Sequence, residues 1–418
     1  NNLKLKEVRC MAIANKYPVS IQYCREGDLE KLPEIMNKLL EPLLLEKEVK
    51  EITSAVIKPN ICWQEGWKSG STTCPQLVIE TVSWLRRKGV DEIALAEGSM
   101  VGQDTMECFA KLGYLDLARE LDLRIVDLNK DATVSLKVPN PRVFEEIEVA
   151  RTIVDCDFLI NMPVMKTHIN TLVTLAIKNL KGTIPHNWKR KFHFVGLDCS
   201  LVDLASVISS DLVIMDGIIG QQGQGPLTGT PAYAGIVIAG RNQFDVDITA
   251  CRAMGIDPRE VRHLAMIAEA AGIDLKTYHV AISGVDLSNL DIVFERPRYS
   301  LQGLYKGIDI IWGEPCSGCA GALSVALERM ERSGELEIIR QNGGLVIALG
   351  KTADPQPNER LVLLGKCQYR NRSKGMFIPG CPPPGMIVRE MLSKFAKGES
   401  KYGSEAFVRE AEILYKDQ

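Results

Sequence analysis

The chain has 418 residues, 45% of them hydrophobic and 25% charged, with a formal net charge of −3. That is the make-up of a folded globular protein with room for roughly two or three domains. The near-neutral balance supplies no basic field for nucleic acid or an anionic membrane. No apolar run reaches the length of a bilayer span, and Asn1-Asn2-Leu3-Lys4-Leu5-Lys6 lacks the apolar core of a signal peptide. Twelve cysteines without a secretory signal fit a reducing compartment, so a cytoplasmic protein is expected.

Short apolar, β-branched runs alternate with longer amphipathic ones along the chain. Predicted strands at 55–58 and 93–96 are followed by predicted helices near 75–88 and 104–121. Strands at 158–161, 212–215 and 235–239 then alternate with helices near 197–209 and 243–254. Polar loop residues and Pro297 place a boundary near 285–305. Beyond it the pattern restarts, with strands at 308–311, 345–348 and 361–364 and a helix over 319–333. This alternation predicts an α/β protein with mostly parallel sheets flanked by helices. The expected division is a larger N-terminal ligand domain over 1–300 and a smaller C-terminal α/β domain over 301–418.

Open parallel sheets bind ligands at the carboxyl ends of their strands. The predicted strand ends are rich in polar residues and glycine. Lys58-Pro59-Asn60 ends the first, and Gly70-Ser71-Thr72-Thr73 precedes the following helix. Glu97-Gly98-Ser99 ends the second. The strand at 158–161 runs on to Lys166-Thr167-His168, then to Thr174, Lys178 and Asn179 before Gly182. Asp216-Gly217 and the loop from Gly220 to Pro226 follow, with Asp245 and Asp247 further on.

Lysines normally lie on the surface. Lys58, Lys166 and Lys178, flanked by hydroxyls and amides, read instead as a site for a carboxylate or phosphate. Lys166, His168 and Lys178 are the catalytic candidates; Lys58, Asn60, Ser71, Thr72, Glu97, Asn179 and Asp216 are the substrate-binding ones. Gly70–Thr73 reads first as a helix N-cap and second as an anion cradle; it is no Walker loop, and 220–225 is no dinucleotide fingerprint. Asp245 and Asp247 alternate by two, so at most one faces a site if the stretch is extended. His168 and His193 sit in the densest polar region, where either could serve as general base or metal ligand. His186 falls in a loop, His263 and His279 in an ordinary helix and strand, and Cys62, Cys74 and Cys108 read as packing residues.

Through these residues, roughly 50–285, the chain resembles the family catalogued as domain of unknown function 362. The resemblance is carried by Ile57-Lys58-Pro59-Asn60, Glu97-Gly98-Ser99, Asn161-Met162-Pro163-Val164-Met165-Lys166-Thr167-His168 and Ile177-Lys178-Asn179-Leu180-Lys181-Gly182. Met215-Asp216-Gly217, Gly223-Gln224-Gly225-Pro226 and Phe244-Asp245-Val246-Asp247 continue it. That family often travels with iron–sulfur modules and brings no activity with it. Its layout is loosely similar to the catalytic part of lactate racemase, but the chain shows no convincing nickel-cofactor signature.

Four later cysteines stand on Gly- and Pro-rich turns, in Gly313-Glu314-Pro315-Cys316-Ser317-Gly318-Cys319, Gly365-Lys366-Cys367 and Gly380-Cys381-Pro382-Pro383. An iron–sulfur cluster takes four such thiolates, and exposed N–H groups tune it. Zinc usually takes two close pairs, a thioredoxin-like pair would leave Cys367 and Cys381 unexplained, and plain buried thiols are the third alternative. Residues 307–395 resemble the cluster domain of nickel–iron hydrogenase small subunits and the related complex I subunit. That resemblance implies a [4Fe-4S] cluster on Cys316, Cys319, Cys367 and Cys381 in a flavodoxin-like domain. It does not imply hydrogenase activity, which lies on a nickel-bearing partner subunit.

Three function classes follow. The first is an iron–sulfur oxidoreductase or electron-transfer protein whose cluster serves a small anionic substrate or cofactor. Its electron donor would be a ferredoxin-type protein, and assembly as a homo-oligomer is compatible with it. The second is a cluster-dependent lyase or isomerase of a hydroxy acid, which would favour three cysteine ligands over four. The third is a non-catalytic iron–sulfur subunit docking with a partner.

Overall fold

The computed structural model describes residues 17–45, 52–226, 228–297, 301–398 and 409; the amino-terminal hexapeptide lies outside them. The strand pattern of the larger part is realised as β1 (Val19–Tyr23), β2 (Ser54–Pro59), β3 (Glu92–Glu97) and β4 (Arg124–Asp127), then the hairpin β5 (Thr133–Lys137) and β6 (Glu146–Ala150). β7 (Phe158–Met162), β8 (Val164–His168), β9 (Leu172–Thr174), β10 (Leu212–Gln222), β11 (Thr230–Ala232), β12 (Ile236–Gly240) and β13 (Ile282–Gly284) complete it. All but the hairpin join one sheet ordered β13-β1-β12-β10-β7-β2-β3-β4, with β8 and β11 paired to β10 and β9 paired to β8.

Neighbours from β10 through β7, β2 and β3 to β4 run parallel, whereas β12 is antiparallel to both β10 and β1. β2, β7 and β12 are buried nearly throughout. That is why they read as unbroken apolar runs rather than alternating ones. Helices Leu32–Leu40 and Pro75–Arg87 bury Met36, Leu39, Leu77, Val78 and Leu85 against Ile57, Leu95 and Ile160. Each such side chain contributes roughly 1.5–3 kcal/mol over leaving it in water.

The single helix expected near 104–121 is two, Thr105–Lys111 and Tyr114–Glu120. Gly113 adopts φ 79° between them, a left-handed conformation that a glycine takes at no steric cost and that ends a helix. Asp104 starts the first half by accepting Met106 N and Glu107 N. His279, expected in a strand, lies in irregular structure. No helix among the described residues is long and apolar enough to cross a membrane.

The chain is thus α/β, with mostly parallel sheets flanked by helices. Its contacts divide it into two units, one of Asn1–Thr167, Val173–Lys189 and Asp198–Glu295, the other of His168–Leu172, Arg190–Leu197 and Arg296–Gln418. The second unit is built on β14 (Ile308–Trp312), β15 (Leu345–Leu349), β16 (Leu361–Leu364) and β17 (Met376–Ile378), all parallel and adjacent in chain order. Helices Ser317–Arg332 and Gly385–Ala396 supply Leu323, Leu327, Val388 and Met391 to its core. Arg389 clamps Glu335 at 2.8 Å.

Candidate functional site

Parallel pairing of β2 with β3 brings their carboxyl ends to one edge. There Lys58 Nζ stands 2.9 Å from both Glu97 carboxylate oxygens and donates to Pro59 O at 3.1 Å. Glu97 also accepts Ile61 N at 3.0 Å and Gly98 N at 2.8 Å. A buried pair survives only when its remaining donors and acceptors are satisfied, and here they are. A Cβ on Gly182 would lie 2.1 Å from Glu97 Oε1, so that position has room for hydrogen alone. Burial pulls the Lys58 ammonium below its ordinary range, and the Glu97 charge opposes this.

Lys166, on β8, is fully buried and donates to Asn60 Oδ1 at 2.6 Å and Ser71 O at 2.8 Å. From Asn60 a chain of side-chain amides runs on. Asn60 Nδ2 donates to Asn179 Oδ1, Asn179 Nδ2 to Asn161 Oδ1, and Asn161 Nδ2 to Ala176 O, at 2.7, 2.8 and 2.9 Å. The relay ties β2, β7 and the helix Ala176–Asn179 to the Lys166 ammonium. Asp247 anchors that helix from the other side, its carboxylate accepting Ala176 N at 2.7 Å and Ile177 N at 3.0 Å.

Three more lysines follow. Lys189 is buried and donates to Gly98 O, Ser99 O and Asn129 Oδ1 at 2.8, 3.2 and 2.6 Å. Lys178 is half-buried, and among the described residues its Nζ has no hydrogen-bond or ion-pair partner. Burial first, then the Lys166 charge, brings Lys178 down to about 7. Burial brings Lys189 to about 7 as well, against the pull of Glu97. Lys181 is pushed well below its usual value by burial and by the charges of Lys178 and Lys189. Cationic side chains outnumber carboxylates at this edge, which is the electrostatics of an anion site. Among the described residues Gln221 Oε1 and Thr174 Oγ1 are buried without a partner, although Gln221 Nε2 holds Ser71 Oγ at 2.8 Å.

The remaining expected residues are placed as follows. Thr72 Oγ1 donates to Glu65 O at 2.9 Å. Gly70–Thr73 stops short of the helix, whose N-cap is Cys74, so the expected capping role passes elsewhere. Asp216 supplies it from β10, accepting Cys74 N at 2.7 Å and Ile218 N at 3.0 Å; burial raises it to about 6. Asp245 faces Tyr278, whose hydroxyl donates to Oδ1 at 2.8 Å. Cys74 and Cys108 are core residues. Cys62 is not: it is half-buried, within electrostatic reach of Lys58, Lys166 and Lys178. His168 belongs to the second unit, where its Nδ1 accepts Asn170 N at 3.0 Å.

Asn161, Lys189 and Asp247 were outside the expected set. Asn161 and Asp247 stand in the motifs quoted above, while Lys189 opens the basic run Lys189-Arg190-Lys191, which reads as solvated surface.

In the second unit the four cysteines follow the carboxyl ends of β14, β16 and β17. Cys316 is the exposed N-cap of the helix Ser317–Arg332, and Cys319 is buried in its first turn. Cys367 follows Gly365 after β16, and Cys381 follows Gly380 after β17. The Cys319 thiol is hydrogen-bonded to Cys316 and within electrostatic reach of Cys381 and Cys367. That hydrogen bond, then burial, holds it well above the usual thiol range. Gly365 lies at φ 86°, and a Cβ there would be 2.7 Å from Cys319 Sγ. Asn170 Nδ2 donates to Gly318 O at 2.8 Å. His193 lies against the last loop, its Nδ1 donating to Pro382 O at 3.2 Å and its carbonyl accepting Cys381 N. Thiolate sulfur is the donor that both zinc and iron–sulfur clusters take. Among the described residues, no three His, Cys, Asp or Glu side chains are arranged to hold a single metal ion.

A cavity of about 740 Å³ opens at the opposite edge of the first sheet, lined by Ser54, Glu92, Asp122, Arg124, Asp131 and Arg151 among others. It lies at the amino ends of β2, β3 and β4, away from the lysines.

Residues 55–252 match the family described as Domain of unknown function (DUF362), within the stretch expected from the motifs, and all five lysines fall inside it. A thylakoid-associated protein of Synechocystis sp. is 27% identical over 242 residues, 55% of this chain and 72% of that protein. The lactate racemase apoprotein from Thermoanaerobacterium thermosaccharolyticum is similar with a TM-score of 0.37 at 13% identity. That similarity covers 58% of each chain, so this chain spans less than two thirds of the racemase.

Proposed function

We propose that the protein is an iron–sulfur oxidoreductase or electron-transfer protein that acts on a small anion held at the lysines of its first unit. The observation that carries the redox part is the gathering of Cys316, Cys319, Cys367 and Cys381 around the Cys319 thiol. These four would hold a [4Fe-4S] cluster, which supplies one-electron chemistry when bound. The likeness of residues 307–395 to the hydrogenase small-subunit domain supports the same ligand set. The exposure of Cys316 gives a face for an electron donor of ferredoxin type.

The first unit's residues supply binding. Lys58 and Glu97 fix one another, Lys166 keeps one N–H beyond those given to Asn60 and Ser71, and Lys178 stands half-open beside it. An anion entering there gains charge-assisted hydrogen bonds and relieves the repulsion among the lysines.

The test is anaerobic purification with iron and acid-labile sulfide counted and an EPR spectrum taken after dithionite reduction. The expected result is about four irons and four sulfides per chain with a reducible signal; zinc without sulfide would overturn the reading. Cys381→Ser should lose most of the iron, and full retention would count against four-cysteine ligation. Lys166→Ala should keep the iron and abolish anion binding, measured by calorimetry with lactate and with phosphate. Normal binding in that variant would move the anion site elsewhere.

A further inference from the structure

We infer that the anion taken by the first unit is a small oxo acid, and that Lys178 Nζ condenses with its ketone to form an imine. This rests on the anion-site reading above and is independent of the cluster.

Five lysines share the edge, and they differ in what they are attached to. Lys58, Lys166 and Lys189 are each committed to two or more oxygens. Among the described residues nothing hydrogen-bonds or ion-pairs with the Lys178 side chain, and half-burial leaves its nitrogen open to a ligand. Its backbone is nevertheless pinned on both sides. Asp247 accepts the N–H groups of Ala176 and Ile177, and Asn179 is locked between Asn60 and Asn161. A loose amine on a fixed backbone is what a nucleophile needs; a lysine serving only as structural cation would be paired.

An ordinary lysine is no nucleophile near neutrality because it is protonated. Burial and a neighbouring ammonium are the two devices that release the amine. Both operate here, through Lys166 and the surrounding protein, with Lys178 drawn to about 7. The other groups that bear on it are Cys62, Asp198 and Lys181. An amine calls for a carbonyl, and the surplus of ammonium groups around it calls for an anion. An oxo acid is the small molecule that carries both.

The step balances without any redox partner. The amine lone pair attacks the carbonyl carbon, a C–N bond forms, and the carbonyl oxygen leaves as water with the two amine protons. Lys166 and the other ammonium groups hold the carboxylate while this happens.

The experiment is trapping with sodium cyanoborohydride in the presence of pyruvate, 2-oxoglutarate or glyoxylate, with peptide mapping of the intact chain by mass spectrometry. The expected result is a reduced adduct on Lys178 with at least one of the three. It should exceed that on the exposed Lys276 by on the order of tenfold or more at neutral pH. Labelling of Lys178 should level off above pH of about 7. Lys178→Arg should abolish the adduct. If the wild-type protein binds these acids by calorimetry but is never trapped at Lys178, the imine is wrong and the anion site stands. If it neither binds nor traps any of them, both fail. Adducts scattered over surface lysines also overturn the inference.

Discussion

Removing Lys58 would leave the Glu97 carboxylate, 2% exposed, with two backbone N–H groups and no ion-paired ammonium among the described residues. An uncompensated buried charge costs about 3–5 kcal/mol, so Lys58→Met should lower the unfolding free energy by that order in urea titrations. Lys58→Met with Glu97→Gln should recover a large part, because the amide needs no ammonium. Equal losses in the single and double variants would mean that the pair contributes packing rather than charge. At this scale the sequence is informative wherever a polar residue sits next to a strand end, as Lys58, Glu97 and Lys166 do. It misleads for Lys189, whose basic neighbours suggest water although the side chain reaches Gly98 and Asn129. Cys62 has no such signal at all, since only the fold sets it among three lysines.

The four-residue helix Ala176–Asn179 is too short to be stable alone. Its first N–H groups depend on a carboxylate from the helix Gln243–Ala253, which is Asp247. Asp247→Ala would strand two buried donors, a loss of about 1–3 kcal/mol for each unsatisfied group. It should also weaken lactate binding, because Lys178 and Asn179 ride on that helix; Asp247→Asn, which keeps one acceptor, should do less on both counts. Unchanged affinity in the alanine variant would detach this helix from the binding site. The strands at 55–58, 93–96, 158–161 and 212–215 were legible because burial on both faces makes them apolar throughout. β8 and β9 were not, since Lys166, Thr167, His168 and Thr174 break the apolar pattern. The polarity that hides them as strands is the polarity that makes the site.

Across the whole molecule the buried charges leave a signature in stability against pH. Asp216 and Asp247 are raised by burial to about 6 and about 7. The folded chain therefore binds more protons than the unfolded one between about pH 4 and 7, and stability falls across that window as pH rises. Lys178 and Lys189 are lowered to about 7 from 10.5. Above neutrality the unfolded chain then binds more protons, and stability climbs again. The buried thiols of Cys24 and Cys74, raised to about 12 from 9.0, cancel that climb above about pH 9, and stability falls once the lysines' unfolded value of 10.5 is passed. The protein without ligand should accordingly show a local minimum of stability near pH 7, a range where most proteins are close to their maximum. Urea midpoints at pH 5.5, 7 and 8.5 would show it, and a single maximum at pH 7 would refute it. Lys189→Met should flatten the rise from pH 7 to 8.5 by up to about 1.4 kcal/mol per pH unit, one proton's worth. A bound anion should fill the minimum, because it favours the charged lysines that the empty site penalises.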